Sequence, residues 1–300
     1  MSTPSNARNW VYILILSVIW GASFMGVKMA LTGFGPISVA AVRILMAAVS
    51  LTILAYARGI GLPAFSQKRV WAHCAGMGMF SNVIPFILLS WGQLYVASGF
   101  AGITMAVVPL FVLPLAHFLV PAERLTPRKA AGFSVGFVGV AILIGPGAWA
   151  STGAEAEAWA RMACVGAAGG YAIGSIITRL CPKVDQISFS AAALLVASAV
   201  IVPIALIVEG WPAMPPVGAI AAVIYLGLFP TALATLLLVR VVQTAGPTFL
   251  SIVNYLVPVW SVIFGTILLS EVLPGQFLGA LGLILAGLAI SQARFIRRRP

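Results

Sequence analysis

The chain has 300 residues, of which 61% are hydrophobic and only 8% are charged, and its formal net charge is +11. A water-soluble domain of this length needs far more polar surface, so the composition excludes an ordinary soluble protein and indicates that lipid surrounds much of the chain. The basic residues lie in short segments between apolar runs, which argues against a nucleic-acid partner.

Ten long apolar runs follow one another along the chain. A helix of about 20 residues crosses the hydrocarbon core of a membrane, and only helices or closed barrels satisfy the backbone there. The runs have about that length and do not alternate between apolar and polar residues, so they predict helices rather than strands. The predicted helices cover residues 10–31, 36–57, 70–93, 97–120, 127–145, 160–180, 186–208, 216–240, 246–269 and 274–295.

A polar stretch over residues 147–159 divides the chain into two sets of five helices, residues 1–146 and 160–300. Most Lys and Arg residues fall on the side of the N-terminus, so we predict that both termini are cytoplasmic and that 147–159 is an outer loop. Five is an odd number, so the second set must be inverted relative to the first. The predicted fold class is therefore an all-α polytopic membrane protein with a 5+5 inverted repeat around a central cavity.

Residue patterns support the repeat. The fourth and ninth runs each carry a central proline followed by a glutamate, namely Pro109 with Glu123 and Pro258 with Glu271. A glycine-rich run follows in both cases, with G-x-x-x-G spacings that favour close helix packing, or alternatively dimerisation. We expect the two glutamates to hold the turn before the next helix.

The segment VIWGASFMGVK at 18–28, the VRILMAA of the second run and the repeated Pro–Glu–Gly pattern resemble the drug/metabolite transporter superfamily, in its ten-helix EamA-type branch. The resemblance covers nearly the whole chain. It implies export of amino acids or other metabolites through a cavity lined by the first, third, fourth, sixth, eighth and ninth helices. Among these families, the aromatic amino-acid exporters are similar in length and layout.

Four prolines fall in the middle third of predicted helices: Pro85, Pro109, Pro230 and Pro258. Each removes a backbone donor and can kink its helix. In an inverted-repeat transporter such broken helices surround the substrate. We predict hinge positions here, although membrane helices also tolerate proline without any functional role.

Several polar or aromatic residues fall near mid-membrane. Six of the eight tryptophans fall near predicted helix ends or loops, as interfacial anchors do, whereas Trp20 and Trp260 lie near the middle of helices, where an indole N–H needs a partner or a wet cavity. Interhelical hydrogen bonding is the alternative explanation for the buried polar groups. The predicted cavity residues are Trp20, Ser23, Asn82, Thr104, Tyr171, Ser175, Tyr225, Asn254, Tyr255 and Trp260.

Lys28 and Arg43 are basic residues that fall inside apolar runs. One hypothesis is that either attracts a substrate carboxylate. The other, which we favour from sequence, is that they cap helix ends or bind backbone carbonyls, with Arg43 reaching toward the membrane surface.

All six acidic residues fall at predicted membrane edges or in loops. A proton-coupled antiporter for cations usually needs a buried carboxylate, so the pattern favours facilitative transport. No catalytic pair, metal-ligand spacing or cofactor motif is evident, which argues against a membrane-embedded enzyme. No repeated ring of charges suggests a channel. We predict a monomeric exporter of small metabolites, most of all amino acids including aromatic ones, in a bacterial inner membrane; drugs or other organic metabolites are the alternative substrates.

Overall fold

The structure is a computed structural model that describes residues 7–121, 126–144, 155–211, 214–250, 252–272 and 275–292. Within these ranges the chain is helical, and they contain no strand. This confirms the predicted all-helical fold class.

Five helices form from the first apolar runs. They are α1 (Ala7–Ala30), α2 (Pro36–Ala57), α3 (Lys68–Gly92), α4 (Ser98–Leu119) and α5 (Pro127–Ile144). The loops between them are short wherever they are described.

Six helices follow. They are α6 (Glu155–Leu180), α7 (Gln186–Val208), α8 (Val217–Ala245), α9 (Pro247–Leu250), α10 (Val253–Leu268) and α11 (Gly275–Gln292). The single predicted helix over 246–269 is thus two helices, α9 and α10, on either side of residue 251, which lies outside the described residues.

Two predicted boundaries differ from the structure by about five residues. α6 begins at Glu155 instead of residue 160, so part of the predicted 147–159 loop is helical. An acidic residue in the first turn favours a helix N-terminus, which apolar periodicity does not register. α8 continues to Ala245 and ends at Gly246, whose φ of 90° lies in the left-handed region that glycine adopts without strain.

Seven helices, α1 to α4 and α6 to α8, have the length and hydropathy to cross a membrane. Two shorter apolar helical stretches, Leu256–Leu268 and Gly275–Gly287, lie within α10 and α11. The chain is therefore a multi-pass membrane protein.

The long helices are irregular at equivalent places in the two halves. α3 contains a π-helical segment at Met79–Val83, and α8 contains one at Gly227–Leu233. α4 tightens to a 3-10 helix at Thr104–Val107, and the break between α9 and α10 falls at the matching place. π-Helical segments are rare and concentrate at functional sites.

Helix packing repeats between the halves. α1 packs on α10 and α8, as α6 packs on α4 and α3. α2 contacts α8 as α7 contacts α3, and the pairs α2–α7, α4–α10 and α5–α11 join equivalent helices directly. The chain thus folds as two similar halves that interlock rather than as two separate domains.

The α5–α11 pair packs through glycine. A Cβ atom at Gly287 would clash with the Gly132 carbonyl oxygen and the Gly136 backbone. In contrast, nothing lies within 4 Å of such an atom at Gly275 or Gly279, so the second of the two G-x-x-x-G spacings does not mediate a contact among the described residues.

Candidate functional site

A cavity with about 940 Å³ of empty space, including space open to solvent at its mouth, lies between the two halves. Helices α1, α2, α3, α4, α6, α8, α9 and α10 all contribute side chains to it. The resemblance implied that six of the ten predicted helices line the cavity, and α2 is a lining helix that it did not include. The cavity is mostly apolar, with a few polar groups, as is typical of small-molecule sites.

α3 supplies one continuous face of the cavity. Asn82, Phe86 and Leu89 line it from α3, and Gln93, the residue directly after α3, continues the spacing of residues stacked along one side of a helix. Ser81, in the π-helical segment, also lines the cavity and contacts Gly174 of α6, where a Cβ atom would clash with it. The packing of α6 against α3 therefore depends on small residues.

Trp20 ties α1 to α8 inside the cavity. Its indole Nε1 donates a hydrogen bond to the Pro230 carbonyl oxygen at 3.2 Å. The indole N–H thus has the hydrogen-bond partner that a tryptophan in the middle of a membrane needs. Ser23 lies one turn later on the same face, and its hydroxyl donates to the Trp20 carbonyl oxygen at 2.7 Å.

Arg43 lines the same cavity from α2 and is only 4% exposed. Its Nε donates to the Thr231 hydroxyl at 3.0 Å, and its guanidinium carbon lies 3.8 Å from the centre of the Phe86 ring. It therefore does not cap a helix end or bind backbone carbonyls, which was the interpretation favoured from sequence.

The Thr231 hydroxyl is itself held in one orientation. It donates to the Leu226 carbonyl oxygen at 2.7 Å. Leu226 lies five residues before Thr231, within reach of the turn of the π-helical segment, so the hydroxyl bonds back to its own helix. With its hydrogen committed, the oxygen is left to accept from Arg43.

Gln93 is a further cavity residue that the sequence analysis missed. It is completely buried, and neither its amide nitrogen nor its amide oxygen has a hydrogen-bond partner among the described residues. Its backbone carbonyl accepts a bond from Lys28 Nζ at 2.7 Å. For Lys28, the backbone-binding hypothesis is thus the one that matches the structure.

The structure brings together six of the ten predicted cavity residues: Trp20, Ser23, Asn82, Tyr171, Ser175 and Asn254. Thr104, Tyr225 and Trp260 do not line the cavity. The Tyr255 side chain lies outside the described part of the structure. That any of these residues contacts substrate stays a prediction.

The three residues outside the lining set have other contacts. The Thr104 hydroxyl donates to the Ala101 carbonyl oxygen at 2.6 Å, within its own helix. The Tyr225 hydroxyl lies 3.4 Å from the carbonyl oxygen of Ile19. Trp260 packs directly against Gly21 of α1, where a side chain in place of the glycine would clash with it. The Trp260 ring also stacks on the Phe264 ring.

The predicted hinge prolines adjoin or lie within the helices around the cavity, but only Pro230 lines it. Pro85 and Pro109 are the second residues after the π-helical segment of α3 and the 3-10 segment of α4, respectively. Pro258 lies inside α10. Their function as hinges stays a prediction.

Two glutamates cap helices of the opposite half. The Glu271 carboxylate accepts from Ser98 N, Ser98 Oγ and Gly99 N at 2.8–3.0 Å, at the start of α4. The Glu209 carboxylate accepts from Ile37 N and Ser38 N at 2.9 and 2.8 Å, at the start of α2. Glu271 therefore binds a distant helix rather than the turn before the next helix, and Glu123 lies outside the described residues.

The cavity has no acidic lining residue among the residues that the structure describes, and Arg43 is its one charged side chain there. No group of three or more His, Cys, Asp or Glu residues suited to a metal ion occurs in the same part of the chain. The site thus offers a cation, amides, hydroxyls and aromatic rings, which suit the binding of a small molecule.

A multi-pass helical protein with a mixed polar and apolar cavity between two similar halves has the architecture of a membrane transporter. Comparison with known families identifies it further. The model of the EamA-like transporter family matches residues 9–145 and again residues 158–292. The chain belongs to this family and contains two copies of its unit.

Relatives extend over almost the whole chain. A protein of Streptantibioticus cattleyicolor with the name "Probable terminal-alkyne amino-acid exporter" is 29% identical over 294 residues, which cover 96% of this chain and 95% of that protein. The "Uncharacterized inner membrane transporter YedA" of Escherichia coli (strain K12) is 25% identical over 277 residues, 91% of this chain and 86% of that protein. A solved protein crystal structure shares the fold with a TM-score of 0.72 at 20% identity, covering 97% of this chain and 99% of that one.

Proposed function

We propose that the chain exports small metabolites, above all amino acids including aromatic ones, by alternating access across a bacterial inner membrane. The observation that carries this proposal is the cavity itself, which both copies of the family unit line at their π-helical segments. The S. cattleyicolor relative, named as an amino-acid exporter, supports the substrate class.

The proposed mechanism needs ten membrane crossings in two inverted sets of five. Helix directions support this topology. α1 runs parallel to the succession of α9 and α10, because Trp10 contacts Phe249 of α9 while Gly21 contacts Trp260 of α10. α5 and α11 run antiparallel, since Arg128 Nε at the start of α5 donates to the Ile290 carbonyl oxygen near the end of α11. Ten alternating crossings with both termini cytoplasmic would make the first and ninth crossings parallel and the fifth and tenth antiparallel, as these contacts require.

Counterflow in proteoliposomes tests the function. The purified full-length chain is loaded with unlabelled amino acids and given a panel of labelled ones, with hydrophobic organic compounds as a second panel. We expect saturable counterflow of aromatic amino acids without an imposed proton gradient, because the cavity holds no carboxylate among its described residues. Counterflow of neither panel by folded protein would refute the export proposal, and counterflow of the second panel alone would favour the alternative substrates.

Replacing the two central tryptophans one at a time distinguishes a residue that contacts substrate in the cavity from one that only packs helices together. Trp20→Ala should change the ratio of phenylalanine to alanine counterflow by about 2- to 10-fold, the effect of losing an aromatic contact of roughly 0.5–1.5 kcal/mol. Trp260→Ala should lower the thermal unfolding midpoint and leave that ratio unchanged, because Trp260 packs against α1. A changed ratio in Trp260→Ala alone would contradict the assignment.

A further inference from the structure

We infer that Arg43 is the carboxylate-binding residue of this cavity, so that a free carboxylate is what the protein recognises in its substrate. The inference rests on the proposed transport function and adds the chemical group that the site requires. Three features of Arg43 carry it: its uncompensated charge, its fixed orientation and its unused donors.

Among the described residues, the charge of Arg43 has no acidic partner. The side chain is 4% exposed, it belongs to a membrane-spanning helix, and no acidic residue lines the cavity among the described residues. An arginine remains protonated in proteins, and a buried unpaired charge is costly. An anionic group in the cavity removes that cost, whereas a cation adds to it.

The orientation of the guanidinium is fixed on two sides. Phe86 covers one face at 3.8 Å from the guanidinium carbon, and Thr231 accepts the Nε hydrogen bond. The Thr231 hydroxyl cannot turn away without releasing the Leu226 carbonyl. A donor group held this way loses little conformational freedom when a ligand binds.

The remaining donors are the two terminal nitrogens. Neither nitrogen makes a hydrogen bond to a described residue. Neither is completely buried, so a ligand in the cavity can reach them. They form the fork that binds both oxygens of a carboxylate at once. The site therefore distinguishes a carboxylate from an amide or ester of the same shape.

Acceptors for the ammonium group of an amino acid lie along the same wall. Asn82 precedes Phe86 by one helical turn on α3, and its nitrogen is already directed at the Met77 carbonyl oxygen, at 3.5 Å. The amide oxygen of Asn82 is then available to accept a hydrogen bond from the ammonium group. Tyr171, which also lines the cavity, adds a hydroxyl. An α-amino acid thus finds partners for both of its charged groups.

Competition by three compounds tests the inference on wild-type protein. Counterflow of labelled phenylalanine is measured against unlabelled phenylalanine, 3-phenylpropionate, which lacks the ammonium, and phenylalaninamide, which lacks the carboxylate. We expect 3-phenylpropionate to compete and phenylalaninamide to compete about 10- to 100-fold more weakly, the fold-change for losing a charge-assisted hydrogen bond. Equal competition by the two would overturn the inference.

The variant Arg43→Gln should lose affinity for phenylalanine by about the same factor and should no longer distinguish phenylalaninamide from phenylalanine. Arg43→Lys, which keeps the charge but not the fork, should retain part of the preference. Arg58→Gln, at an exposed position after α2, is the matched control and should behave as wild type. An Arg43→Gln protein that folds and keeps the full preference would refute the assignment.

Binding to detergent-purified protein gives a readout that does not need transport. The shift of the unfolding temperature is recorded with 3-phenylpropionate and with phenylalaninamide. Stabilisation by the first but not the second supports the inference even if no panel compound is transported, in which case the export proposal alone fails. Stabilisation by neither, or by both equally, overturns the carboxylate inference, whatever the transport assay shows.

Discussion

The helix pairs α3–α8 and α5–α11 show two different uses of the same duplication. α3 and α8 are long, contain π-helical segments and prolines, and present amides and hydroxyls to the cavity. α5 and α11 are shorter and regular, and they meet through glycines. Irregular backbone is costly in a membrane unless it faces a cavity or protein, and in α3 and α8 it lies beside the cavity. The α5–α11 pair is expected to stabilise the fold without selecting the substrate.

The strongest test of this comparison is a glycine in α11. Gly287→Ala should lower the free energy of unfolding by about 1–3 kcal/mol, because the new methyl group meets backbone atoms of α5 that cannot move aside. Gly279→Ala is the matched control, since it faces open space in the same helix and should gain up to about 1 kcal/mol from helix propensity. Thermal unfolding in detergent measures both. A changed substrate ranking in either variant would break the comparison.

The second test concerns the anchoring of a cavity helix. Glu271→Gln should cost about 1–2 kcal/mol, because an amide nitrogen replaces one of the two oxygens that accept from the start of α4. Glu157→Gln removes a half-exposed ion pair with Arg161 and should change stability by less than about 1 kcal/mol. If the two variants unfold at the same temperature, the cap at α4 does not stabilise the fold.

The smallest expected effect is a gain. Gln93→Leu should raise the stability of the ligand-free protein by about 1 kcal/mol, because an apolar group of similar size replaces a buried amide that has no hydrogen-bond partner among the described residues. Gln67→Leu, at an exposed position before α3, should have an effect within about 0.5 kcal/mol. A destabilised Gln93→Leu protein would mean that the amide contributes to folding and is not reserved for the cavity.

Sequence predicted the positions of the helices better than the directions of their side chains. Apolar length alone located the membrane-spanning runs, since membrane thickness fixes that length. Trp20 and Trp260 have similar depth, and depth does not reveal that one faces the cavity and the other faces Gly21. For Arg43, the sequence favoured capping a helix end or binding backbone carbonyls, because it does not reveal that the side chain faces Thr231 and Phe86.

The remaining features depend on partners far away in the chain. The π-helical segments have no pattern in the residues that distinguishes them from α-helix. The Glu271 cap and the Arg43–Thr231 bond each join residues more than 170 positions apart, as their separations of 173 and 188 show. The backbone donor that is missing at Pro230 was visible beforehand, because proline always lacks the N–H.

The two glutamate caps have a consequence for biosynthesis. α2 and α4 emerge from the ribosome long before Glu209 and Glu271 are translated. Until then, the amide groups at the beginnings of these helices must be satisfied by water or by the insertion machinery. The amino-terminal half is thus expected to enter the bilayer unfinished, and to reach its final arrangement only when the carboxy-terminal half is delivered beside it.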